Sequence, residues 1–200
     1  MLCLKVATDG AWTAEAMRDV NAILVDHAHC EMKAASNALS LVARYPGDVE
    51  LTRSLADLAR EEIDHFQRVV TVLAARGVAL GRPPVDAYAA GLRRAAGALP
   101  AEPGGTGLLD RLLVGALIEA RSCERFRLLS DALKERGSAE LSSLYDELLA
   151  SEARHYRTFV DLARRVAHPD EEWVDARLRE VARLEGELAA RLEGTAAIHG

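Results

Sequence analysis

Residues 58–69, LAREEIDHFQRV, and residues 148–159, LLASEARHYRTF, decide the fold. In each, a glutamate and a histidine three positions apart (Glu62 and His65; Glu152 and His155) interrupt apolar residues spaced by three and four. Residues at that spacing share one face of a helix. Extended outward, the first stripe reads Leu51, Leu55, Leu58, Glu62, His65, Val69, Val72. The second reads Leu141, Leu144, Leu148, Glu152, His155, Phe159, Leu162, Val166. Two other segments carry the same kind of interruption: Leu24, His27, Glu31, Ala34, Ala38, Leu41, Tyr45, and Leu109, Leu112, Ala116, Glu119, Cys123, Phe126.

Between the stripes, the helix breakers are concentrated. Pro46-Gly47, Arg136-Gly137-Ser138 and His168-Pro169-Asp170 are sharp stops. Seven of the 14 glycines and four of the six prolines lie between Gly77 and Gly107, which marks a long connection. Four long helices are therefore expected, over Val20–Tyr45, Asp48–Arg76, Leu108–Arg136 and Ser138–Ala167. Shorter ones are expected near Thr13–Asp19 and Val85–Ala96, and a last one over about Asp170–Leu192. Two tight hairpins joined by one long crossover are the order of a ferritin-like four-helix bundle. The expected class is thus all-α, one domain over 1–200, with its core bundle at about 20–167 and an extra C-terminal helix at about 170–192.

Composition agrees with that class and excludes others. The chain has 200 residues, 50% of them hydrophobic and 28% charged, which argues against disorder and against a fibrous protein. No apolar run approaches the ~18 residues of a membrane helix. Residues 1–10 show no secretory signal pattern, and three widely spaced cysteines (Cys3, Cys30, Cys123) form neither a disulfide framework nor a zinc motif. The expected location is the reducing cytoplasm. The net charge is −6, and the last helix with Glu193 accounts for −4 of it (eight acids against four arginines). Indiscriminate nucleic-acid binding is therefore disfavoured, but a local basic patch is not. Outer-face arginines such as Arg121, Arg125, Arg127, Arg154 and Arg157 are the candidates for phosphate contacts, although such faces are usually only solvated.

Four glutamates pointed into one core need compensation, because buried carboxylates are tolerated only when paired or metal-bound. No Lys or Arg lies on any of the four stripes. Four carboxylates and two imidazoles suit two divalent cations, and this oxygen-rich set favours iron or manganese over structural zinc. The register agrees. Glu31 and Glu62 have their midpoint at 46.5, on the Pro46-Gly47 break, so a hairpin sets them side by side. Glu119 and Glu152 have theirs at 135.5, beside the Arg136-Gly137 break. Turn arithmetic serves Glu124 about as well, but Glu124 shares the face of Leu113, Leu117 and Leu128, so the stripe selects Glu119. The candidate metal ligands are Glu31, Glu62, His65, Glu119, Glu152 and His155, with no further catalytic residue. His27 reads either as a hydrogen-bond partner of the ligands or as a satisfied core histidine. Tyr156 reads as a partner of the ligands or as packing. His29 and His168 read as solvated, and Cys30 and Cys123 as small buried hydrophobes.

Four stretches together resemble one family: residues 26–36 (DHAHCEMKAAS), 59–66 (AREEIDHF), 113–126 (LVGALIEARSCERF) and 151–156 (SEARHY). This pattern resembles the MiaE family of tRNA hydroxylases, from about Ala11 to Leu192, with residues 88–92 (YAAGL) included. The resemblance implies a non-haem di-iron monooxygenase. It would hydroxylate the isopentenyl group of 2-methylthio-N6-isopentenyladenosine next to the anticodon of tRNA, with O2 as co-substrate and an external reductase as electron donor. Carried over position by position, the two iron ions would be held by the same six residues. The chain departs from the family pattern in its lead-in, Lys5 to Gly10, and in its tail, Thr195 to Gly200. Apolar Leu24, Leu117 and Ile118 are candidate walls for the prenyl group. The competing reading is a ferritin-like ferroxidase, iron-handling or peroxide-scavenging protein, which the same ligands would serve.

Overall fold

A computed structural model describes residues 2–100, 107–167, 171–192 and 197–199. The expected break His168-Pro169-Asp170, the surface placement of His168, Glu193, and Thr195, Ala196 and Gly200 of the tail lie outside the described residues. Those described form helices only: α1 (Gly10–Ala16), α2 (Val20–Arg44), α3 (Val49–Ala75), α4 (Ala87–Gly97), α5 (Leu108–Glu135), α6 (Ala139–Ala167) and α7 (Glu171–Arg191).

Local chemistry sets these limits. Asp9, Asp19, Asp48 and Asp86 each accept a backbone N–H of the first turn that follows, at 2.6–3.0 Å. That satisfies a donor which a bare helix start leaves unpaired. Asp19 is therefore a cap, and the first helix ends at Ala16 instead of running over the expected Thr13–Asp19. At the far ends, α3 and α5 stop in the same way. Gly77 and Gly137 take φ of 69° and 72°, and the N–H three residues beyond each helix end returns to the last turn (Val78 to Leu73 O, Ser138 to Leu133 O, both 2.9 Å). Glycine adopts that left-handed conformation without steric penalty.

The described residues form two compact units. One holds residues 18–85 with 197 and 198; the other holds residues 2–17, 86–192 and 199. In the first, α2 and α3 pack as a hairpin about the turn at Pro46-Gly47. Their shared core is Leu24, Leu41, Leu51, Leu55 and Val69, all fully buried. In the second, α5 pairs with α6, and α1, α4 and α7 also pack on α5. Helix α5 is accordingly buried on nearly every side: Leu113, Leu117 and Leu129 are as inaccessible as Leu112 and Ala116. A helix clothed all round loses the single-stripe signature of a surface helix. No described helix is long and apolar enough to cross a membrane.

Candidate metal centre

In the α2–α3 unit the mid-helix stripe brings together Glu31, Glu62 and His65. They are 3%, 0% and 5% exposed, and each offers an oxygen or nitrogen within 4.8 Å of the others'. His65 Nδ1 stands 3.6 Å from Glu62 and 3.7 Å from Glu31. One turn before Glu31, buried His27 places Nε2 2.6 Å from Glu31 Oε1. Of its two readings the structure therefore shows the hydrogen-bond partner.

Burial alone would raise the Glu31 carboxyl, but hydrogen bonds from the Glu62, His27 and His65 side chains outweigh it and hold Glu31 well below the usual carboxylate range. Burial likewise pulls His65 down, yet Glu31 and Glu62 push it up to about 9. A proton on His65 thus offsets part of the acid charge near neutral pH, and any metal must displace it. Iron loading is expected to strengthen by about tenfold per pH unit up to about 9, the slope of one released proton. Iron titrations of the apo protein across that range measure it; a flat profile would contradict the competition.

The second unit repeats the composition. Glu119 on α5 and Glu152 and His155 on α6 are 4%, 2% and 3% exposed, and their donor atoms also lie within 4.8 Å of one another. His155 Nδ1 is 3.9 Å from Glu152. Cys123, one turn beyond Glu119, is buried, and burial together with the Glu119 charge pushes its thiol up to about 12. It is therefore a neutral thiol in the metal-free protein near neutral pH. Each triad offers two carboxylates and one imidazole, a donor set that fits iron or manganese.

Glu124, the other acid weighed on α5, is engaged elsewhere. It accepts from Thr8 N at 3.1 Å and from Thr8 Oγ1 at 2.6 Å, and it pairs closely with Arg121. Glu119→Ala is expected to lose iron, and Glu124→Ala to keep the full complement, by metal analysis. The reverse result would move the α5 ligand to Glu124.

Several sequence expectations are corrected. Arg121 and Arg125 are 0% and 3% exposed, so neither is a solvated outer arginine or a phosphate contact. Arg121 forks onto Glu185 (Nε to Oε1 at 2.8 Å, Nη2 to Oε2 at 2.9 Å), and Arg125 lies 4.9 Å over the Trp12 ring. Arg127, Arg154 and Arg157 do stand exposed. His29 is buried at 1% exposure, with Nε2 3.2 Å from Leu80 O, where a solvated ring was expected. Tyr156 hydrogen-bonds Cys3, which accounts for its side chain without the ligands.

The sequence reading missed the polar cluster behind α5. There Tyr88 OH donates to Glu185 at 2.7 Å, and His199 stacks on Tyr88 with its Nε2 2.9 Å from Ser122 Oγ. A second apolar row on α5 (Leu113, Leu117, Leu128) was the available signal that this back face is covered.

The sequence model of the family described as tRNA-(MS[2]IO[6]A)-hydroxylase (MiaE) matches residues 1–200. The chain is 46% identical over 156 residues to the tRNA 2-(methylsulfanyl)-N(6)-isopentenyladenosine(37) hydroxylase of Pseudomonas putida, covering 78% of this chain and 72% of that one. It is 31% identical over 234 residues to the Salmonella typhimurium protein of the same name, covering 92% and 83%. A solved structure, "Protein 43 with aldehyde deformylating oxygenase activity from Synechococcus", superposes with a TM-score of 0.87 at 34% identity, over 100% of this chain and 96% of that one. The architecture is all-α and ferritin-like, as the helix order had indicated.

Proposed function

The chain belongs to the MiaE family of tRNA hydroxylases, and from that membership we propose that it hydroxylates the isopentenyl group of 2-methylthio-N6-isopentenyladenosine in tRNA. Residues 1–200 act as one ferritin-like domain, and the two triads hold the two irons of a single centre: Glu31, Glu62 and His65 on one side, Glu119, Glu152 and His155 on the other. The observation that carries this reading is the repetition of one donor set, two acids and one imidazole, at the buried middle of two helix pairs. Bound there, iron would supply the activation of O2 for insertion into an allylic C–H bond of the isopentenyl group. The balance is one C–H bond, O2, two electrons and two protons giving one C–OH bond and water. A reductase is the electron source, and the cytoplasm, where tRNA is modified, is the location.

The chain's own contribution is positional. Mid-helix ligands on long, capped helices hold the donor set rigid, which a dinuclear centre needs. His27 holds Glu31 in a fixed orientation. Buried apolar residues one turn from the ligands on their own helices (Leu58, Ala116, Phe159) limit the access of bulk water to them. The iron-handling alternative is not favoured, since the relatives are named as tRNA hydroxylases.

The test is reconstitution: iron-loaded protein, a reducing system, O2 and tRNA carrying the prenylated nucleoside, followed by nucleoside mass spectrometry. A product heavier by one oxygen atom is expected. Unchanged nucleoside with fully loaded protein would overturn the reading.

A further inference from the structure

Helices α5 and α6 and the segment of residues 2–8 enclose an open cleft of about 890 Å3. Its surface is mainly apolar: Ala120, Cys123 and Leu128 come from α5, Leu149 and Ala153 from α6, and Leu2 from the lead-in. That size lies within the range of small-molecule sites and is ample for a purine with a five-carbon substituent. The cleft comes within one helical turn of a candidate ligand: Cys123 lines it and lies one turn beyond Glu119 on the same face of α5. Arg127 is exposed among the lining residues, the right charge for a phosphodiester beside an extruded nucleoside. The lead-in wall is fixed by chemistry of its own: Thr8 is held by Glu124 through both its N–H and its hydroxyl, and Arg121 Nη2 donates to Val6 O at 3.0 Å.

We propose that this cleft, and not a wall built from Leu24, Leu117 and Ile118, receives the prenylated adenine of the tRNA substrate, with Ala153 and Leu128 contacting the prenyl group and Arg127 a neighbouring phosphate. Leu24 and Leu117 are fully buried and serve as core. The assignment rests on the tRNA hydroxylase reading and adds to it the subsite for the alkyl group. It also gives the lead-in a role as one wall of a substrate site.

The experiment compares binding and turnover of an anticodon stem-loop with and without the prenyl group by the iron-loaded protein. Wild type should prefer the prenylated RNA by at least about tenfold, the scale expected for burying a few methylene equivalents. Ala153→Phe fills the cleft and should abolish both the preference and the turnover while iron content stays at the wild-type level. Leu128→Gln, at a half-exposed position, should remove most of the preference while iron content stays at the wild-type level. Arg127→Ala should weaken both RNAs equally, with a shallower salt dependence. Wild-type preference and turnover retained in both Ala153→Phe and Leu128→Gln would overturn the cleft and leave the hydroxylase reading standing. A wild type that shows no preference and forms no product would overturn both.

Discussion

Glu62→Ala is expected to bind iron more than a hundredfold more weakly and to lose hydroxylation altogether. Glu62 is fully buried in the middle of α3, with His65 3.6 Å away and Glu31 sharing its hydrogen bonds. Removing a group that only orients a metal ligand costs about 10–100-fold in affinity, and removing a ligand costs more. The fold should survive. The substitution deletes one of two adjacent buried acids, so it removes a desolvated like-charge neighbour along with the metal donor. Circular dichroism of the apo variant should therefore match apo wild type while iron analysis and turnover collapse. His155→Ala should behave in the same way from the other triad. Wild-type iron content and turnover in either variant would contradict the ligand assignment.

Arg121→Ala is expected to destabilise the protein by about 3–5 kcal/mol, the cost of breaking a buried ion pair from one side. Arg121 is fully buried and serves two acids at once. It forks onto Glu185, which is also 0% exposed, and it pairs with Glu124. It also donates to Thr8 Oγ1 at 3.1 Å and to Val6 O at 3.0 Å. Without the guanidinium, buried Glu185 loses its cation and retains the Tyr88 hydroxyl as a hydrogen-bond donor at 2.7 Å. Denaturant titration should show the midpoint falling. Arg121→Met combined with Glu185→Leu should recover much of the loss, because replacing both partners with apolar groups removes the desolvation cost as well. A loss under about 1 kcal/mol for the single variant would mean the cluster is a surface-like pair, the regime in which ion pairs contribute little.

The helical plan was legible because its signals are local. Aspartates before α2, α3 and α4 and left-handed glycines after α3 and α5 mark ends within one or two residues of where the breakers placed them, while Asp9 starts α1 three residues before the expected Thr13. The burial and clustering of Glu31, Glu62, His65, Glu119, Glu152 and His155 were legible because a charge on an apolar stripe has few physical explanations. The arginines on α5 were not legible by the same rule. Arg121 and Arg125 look like an outer face only if α5 has one, but α1, α4 and α7 cover that face. Those helices come from distant parts of the chain, so no window along α5 contains the information. His29 was misread for a related reason: its partner is Leu80 O, 51 residues away in the crossover. Glu185 shows the same effect. It sits in the most acidic helix, where composition suggests solvent, and its burial depends on one arginine 64 positions earlier.

The central claim is that two acid–imidazole triads share a pair of irons, and metal stoichiometry combined with Mössbauer spectroscopy of the iron-loaded protein tests it most directly. Two irons per chain, magnetically coupled in the oxidised state, is the predicted result. One isolated iron per chain, or two that do not interact, would contradict it.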